Sequence, residues 1–155
     1  MIHKSDHSGH VEAHIEPRSI DSRRPIRVVV IGAGISGILA SIRFPQRIPN
    51  IELQVYEKND DVGGTWYENR YPGCACDIPA HTYQAIFEPN LEWSQFYASS
   101  GEIHQYWKKV VAKYGCMRYI KLRQKVIEAR WSEGSSRWNV KVSYLDQNAL
   151  GFANA

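Results

Sequence analysis

The sequence predicts an α/β domain in which parallel strands and helices are followed by an antiparallel hairpin. Three observations carry that reading. The stretch Ile26–Ile31 is rich in β-branched residues and runs into Gly32-Ala33-Gly34-Ile35-Ser36-Gly37, a G-x-G-x-x-G turn opening a helix. Ile51, Leu53 and Val55 alternate with polar partners in a second strand that delivers Glu57 at its carboxyl end, twenty residues after Gly37. Trp138, Val140, Val142 and Tyr144 then alternate along the second arm of a hairpin.

The elements follow in order. Residues 1–25 are polar, without a sustained apolar pattern, and are expected to form a disordered leader. His3, His7, His10 and His14 recur there at helical spacing, with incidental placement favoured over metal binding. Residues 26–145 form the domain, and 146–155 fit no element and are expected to be an irregular tail. Strand 26–31 is expected to be covered on both faces. The helix after the glycines carries Ile35, Ile38, Leu39 and Ile42 and is expected to end early at Pro45.

Residues 58–98 are rich in glycine, proline and aromatics, and such a long connection suggests a functional loop with short helical turns. Ser99-Ser100-Gly101-Glu102 reads as a capping box. Ile103, Tyr106, Trp107, Val110, Val111 and Tyr114 follow at amphipathic spacing, with Gly115 as the helix stop. A short strand near Tyr119–Leu122 precedes the hairpin, whose arms are Val126–Trp131 and Trp138–Tyr144.

Bulk properties exclude several classes. A net charge of +3 is too small to argue for nucleic acid, and the basic side chains are scattered as on a solvated rim. Three cysteines make no disulfide framework, and Cys74-Ala75-Cys76 is too tightly spaced for a usual zinc knuckle, so no metal site is expected. The sequence shows neither a signal-peptide pattern nor an apolar run of membrane-spanning length; a cytoplasmic protein away from the membrane is expected.

The glycines have separate physical roles in a Rossmann-like dinucleotide site. Gly32 permits the turn out of the strand, Gly34 admits a pyrophosphate to the backbone, and Gly37 lets helix and strand pack closely. The helix N-terminus offers unpaired N–H groups, and Ser36 adds a hydroxyl. A carboxylate at Glu57 accepts hydrogen bonds from ribose hydroxyls and repels a 2′-phosphate, which suits FAD or NAD.

Asp61-Val62-Gly63-Gly64-Thr65-Trp66-Tyr67-Glu68-Asn69-Arg70-Tyr71-Pro72-Gly73-Cys74-Ala75-Cys76-Asp77, with Tyr83 beyond, narrows the choice. It resembles the FAD-domain signature of the Baeyer–Villiger monooxygenases, among the class B flavoprotein monooxygenases. Ile78-Pro79-Ala80-His81-Thr82-Tyr83-Gln84 resembles the subgroup common in fungal secondary metabolism. The resemblance implies that Ser36, Glu57, Thr65, Trp66, Tyr67, Glu68, Asp77, Ile78 and Tyr83 line FAD, and that the backbone of Val126 meets the adenine edge. It also implies that Asp77 supports catalysis beside the flavin, helping to place an arginine and the nicotinamide cofactor. Arg70 belongs to the signature and is not that arginine. The blander readings are core packing for Trp66, Tyr67 and Tyr71, a turn cap for Asp77, and small packed residues for Cys74 and Cys76.

Such enzymes use NADPH, FAD and O₂ to convert a ketone into an ester or lactone. The sequence holds no second glycine fingerprint for NADPH, and the family pattern F-x-G-x-x-x-H is absent from it. The chain is therefore expected to be the first third or less of such an enzyme, with an incomplete sheet, inactive alone or completed by another polypeptide. A non-catalytic FAD-binding remnant and a heteroatom-oxygenating flavin enzyme are the alternatives.

Overall fold

The computed structural model describes Ser19 and residues 22–145; the rest of the leader, with its histidines, and the tail at 146–155 lie outside the described residues. β1 (Ile26–Ile31) leads through the glycines into α1 (Ile35–Arg47), and β2 (Ile51–Tyr56) returns parallel to β1 with Ile26 opposite Ile51 and Ile31 opposite Tyr56. This register sets the two faces of the sheet, since alternate side chains point opposite ways. Val30 and Val55 meet the core. Arg27, Val29 and Ile31 face the other way.

Pro45 does not end α1, which continues to Arg47. Proline removes one N–H donor but its fixed φ suits a helix. The ladder resumes at once, with the Ile48 N–H donating to the Phe44 carbonyl at 2.8 Å.

The long connection contains α2 (Thr65–Glu68) and a 3₁₀ turn at Ala80–Tyr83, the short helical turns expected of it. α3 (Ser100–Lys113) then buries Ile103, Tyr106, Trp107, Val110 and Val111. Fully burying one large apolar side chain contributes about 1.5–3 kcal/mol, so this face is a principal source of stability. Only half of the capping box forms. Ser99 Oγ accepts from the Glu102 N–H at 3.3 Å, while the Glu102 carboxylate turns away to Ser94, accepting from its N–H at 2.8 Å and its hydroxyl at 2.7 Å. Ser99→Ala is expected to cost about 1 kcal/mol in a urea melt, the usual value of an N-cap, with an unchanged melt telling against the cap. Gly115 adopts φ +62° just beyond α3, the left-handed stop read from the sequence.

β3 (Ile120–Lys121) pairs parallel with β2, giving the order β1-β2-β3. The sheet is thus incomplete: among the described residues β1 is bonded along one edge only, and Ile26 and Ile31 are 47% and 62% exposed. The expectation that this strand is covered on both faces fails, because the hairpin shields its second face only in part. β4 (Gln124–Ser132) and β5 (Arg137–Tyr144) form that hairpin, with Trp131 opposite Trp138, their rings 5.7 Å apart. A groove of about 720 Å³ separates Val29 and Ile31 from the two tryptophans.

Candidate functional site

Three links bring the fingerprint, the end of β2 and the 61–64 segment together. The Gly32 N–H donates to the Tyr56 carbonyl at 2.8 Å, the Gly63 N–H to the Ala33 carbonyl at 2.9 Å, and the Ala33 N–H to Glu57 Oε2 at 2.6 Å. Between them lies a cleft of about 370 Å³, lined by Ile31, Gly32, Gly34, Ile35, Ser36, Gly37, Gly63, Gly64, Thr65 and Trp66. The larger groove under the hairpin has no fingerprint glycine in its wall and lies on the sheet's partly covered face, so the smaller cleft is the candidate site.

Backbone packing dictates the glycines. A Cβ on Gly37 would sit 2.0 Å from the Gly32 carbonyl oxygen, and one on Gly64 would sit 2.9 Å from Gly34 Cα. Gly32 and Gly64 have φ of +93° and +54°, where side chains are strained. The cleft is therefore a cradle with bare backbone on both sides. At its floor the first amides of α1 precede the helical ladder and have no partner within the helix. An anionic group is the natural occupant of such a floor.

Of the residues expected at the cofactor, Gly32, Gly34, Ser36, Gly37, Thr65 and Trp66 line this cleft, and Glu57, Tyr67, Glu68, Asp77, Ile78, Tyr83 and Val126 do not. Glu57 is 3% exposed and its carboxylate serves the backbone, Oε2 accepting from Ala33 and Oε1 from the Asn59 N–H at 2.8 Å. Each oxygen has a second lone pair for a further donor.

Tyr67 and Glu68 turn toward the 58–60 loop. The Tyr67 hydroxyl donates to Asp60, and Glu68 Oε1 accepts from Asn59 Nδ2 at 2.7 Å and meets Lys58 at 3.0 Å. The Asn59 bond and then Lys58 hold the Glu68 carboxyl below its ordinary value. Arg70 stays on the signature, its Nε donating to the Tyr67 carbonyl at 2.8 Å.

Asp77 and Tyr83 connect to the cleft through Trp66. The Tyr83 ring meets Trp66 edge-on at 4.9 Å, and its hydroxyl donates to Asp77 Oδ1 at 2.8 Å. That acceptor pushes the Tyr83 phenol above its ordinary value, since ionisation would break the bond and set two negative charges together. Ile78 is 43% exposed on the surface. Val126 lies opposite Val142 in the hairpin, beside a bulge and two residues beyond Gln124, whose N–H donates to the Glu57 carbonyl at 2.8 Å.

Gly63 and Gly64 also line the cleft, beyond the residues expected there; the adjacent glycine pair in the signature is the sequence signal for them. Asp61 beside them shows competing effects. Burial pushes its carboxyl up, yet bonds from Lys108 Nζ and the Val62 N–H prevail and hold it below the ordinary value. Cys74, Cys76 and Cys116 are buried and unpaired, and no metal-ligating cluster occurs among the described residues. None of the described helices is long and apolar enough to cross a membrane.

Comparison with known proteins agrees with this geometry. Residues 30–100 match the NAD(P)-binding Rossmann-like domain family. The FAD-binding monooxygenase tazF of Aspergillus terreus is 42% identical over 121 residues, covering 77% of this chain and 22% of its own length. A Baeyer–Villiger monooxygenase of Pseudomonas aeruginosa is 38% identical over 117 residues, covering 76% and 22%. Among solved structures, cyclohexanone monooxygenase from Rhodococcus sp. Phi1 bound to NADP⁺ superposes with a TM-score of 0.68 at 33% identity, covering 77% of this chain and 23% of that one. The chain thus spans about a fifth of the length of the curated relatives it matches. Sequence and fold agree over this segment, which is homologous to the N-terminal portion of FAD-binding monooxygenases, Baeyer–Villiger enzymes among them.

Proposed function

We propose that the cleft holds the pyrophosphate of FAD and that the chain is the FAD-binding part of a Baeyer–Villiger-type monooxygenase. The cradle of bare backbone between Gly32–Gly37 and Gly63–Gly64, at the start of α1, carries the reading. Ser36 and Thr65 add hydroxyl donors at its rim, and Trp66 gives one wall an aromatic surface. Glu57 would use its remaining lone pairs on the ribose, with Tyr67, Glu68, Ile78 and Val126 further along the cofactor. Asp77, oriented by Tyr83, would support a cationic group beside the flavin.

In a complete enzyme of this type FAD supplies the oxygenating chemistry, with NADPH as reductant, O₂ as oxidant and a small-molecule ketone as substrate. The protein's part is to bind, orient and exclude water. The resemblance of Ile78–Gln84 to the subgroup common in fungal secondary metabolism favours a secondary metabolite as that ketone. A cytoplasmic setting suits the three unpaired thiols. Turnover would require the NADPH-binding and arginine-bearing segments, in the same polypeptide or a complementing one.

Titrating FAD against the purified full chain and following flavin fluorescence tests the binding step. Saturable quenching is expected, weakened at least about tenfold by Gly34→Val, whose side chain would enter the cradle. A folded chain that leaves flavin fluorescence unchanged overturns the proposal. Bound flavin that NADPH does not bleach anaerobically would favour the non-catalytic module as this chain's own capacity.

A further inference from the structure

We propose that His104 is a positioning residue for the cleft, bracing the Gly63–Gly64 turn from behind so that it stays close to the fingerprint. The claim rests on the FAD reading above for its functional consequence, while its geometric part stands independently. His104 lies in the second turn of α3 and its side chain is only 14% exposed. Nε2 lies 2.8 Å from the Val62 carbonyl oxygen. Since a carbonyl only accepts, Nε2 carries the hydrogen. Asp61 Oδ2, at 3.7 Å from the same nitrogen, is beyond hydrogen-bond range.

The ring also fills space. A Cβ on Gly63 would come within 2.6 Å of His104 Cδ2, and the imidazole and Tyr67 rings pack at a tilt with centroids 5.5 Å apart. Gly63 itself has φ +120°. On the opposite side, Gly63 donates to Ala33 and Gly64 packs against Gly34. The glycine turn is therefore held between an imidazole and the fingerprint loop, and its position sets the width of the cleft.

A second tie makes the role separable from folding. Lys108, four residues on along the same helix face, donates to Asp61 Oδ2 at 2.7 Å, and Asp61 Oδ1 accepts from the Val62 N–H at 2.8 Å. Loss of the imidazole leaves α3 attached to the loop while the Val62 carbonyl loses its donor and Gly63 its backing. The turn then moves away from Gly34.

The test compares the full chain with His104→Leu, which keeps bulk without a donor, and His104→Gln, which restores an N–H at similar reach. Amide hydrogen exchange across residues 62–65 in FAD-free protein is expected to speed up about tenfold in His104→Leu and return to within about threefold of the parent in His104→Gln. FAD affinity is expected to follow the same order, while the thermal midpoints stay close. Exchange and affinity unchanged in a folded His104→Leu protein overturn the proposal, as does equal loss in both variants. Failure of both variants to fold also overturns it, because the residue then serves the fold at large. If the parent binds no FAD, the FAD reading fails by itself and the exchange data alone decide the bracing role.

Discussion

Gly37→Ala is expected to cost more than about 3 kcal/mol and to abolish the glycine cradle, because the added methyl meets backbone and not a side chain that can move. Its carbon would lie 2.0 Å from the Gly32 oxygen and 3.0 Å from the Gly32 carbonyl carbon. Relief requires α1 to move off the end of β1, separating the Ala33–Glu57 contact from its 2.6 Å geometry. Gly101→Ala is the matched control: Gly101 lies within α3 with nothing within 4 Å of the new carbon. That change is expected to be neutral or stabilising by about 0.5–1 kcal/mol through the unfolded chain. Urea melts should therefore place the Gly37→Ala midpoint well below that of Gly101→Ala, and coincident midpoints would show that the close approach at Gly37 is not a constraint.

Trp107→Ala comes next in size, at about 3–5 kcal/mol. Trp107 is 1% exposed and its ring lies 5.1 Å from that of Tyr106. Its Nε1–H also donates to the Tyr83 carbonyl at 3.1 Å, and Tyr83 carries both the Asp77 bond and the edge contact to Trp66. One substitution thus removes core volume and the support behind a cleft wall. Trp107→Phe separates the effects, keeping most of the ring while leaving the Tyr83 carbonyl without its donor, for about 1–3 kcal/mol. Thermal melts measure both, and equal midpoints for the two variants would rule out the volume argument.

The elements that local chemistry specifies were legible in the sequence. The run before Gly32, the alternation up to Val55, the spacing from Ile103 to Tyr114 and the hairpin arms each fix an element through the period of their apolar residues. Pro45 does not stop α1, because its cost depends on where a helix would otherwise end, which tertiary packing decides. The fingerprint half of the site was legible for the same local reason, as the glycines answer to backbone geometry. What Glu57 touches was not. Its partners, Ala33 and Asn59, are backbone groups whose approach depends on how β2 meets two loops, and backbone amides leave no mark in a sequence. His104 was invisible too, since a histidine on a helix reads the same whether it meets solvent or a glycine turn.

Among the described residues the outer edge of β1 is unpaired, which bears on how this segment would behave by itself in solution. Its outward N–H and C=O groups form a half-finished ladder, and the flanking Ile26 and Ile31 favour dry stacking over hydration. Arg27, tied to Glu52 at 3.0 Å and largely exposed, is the sole charge within the strand and acts as its gatekeeper. Self-association through this edge would rise with protein concentration and would be held back chiefly by the cost of crowding one guanidinium against another.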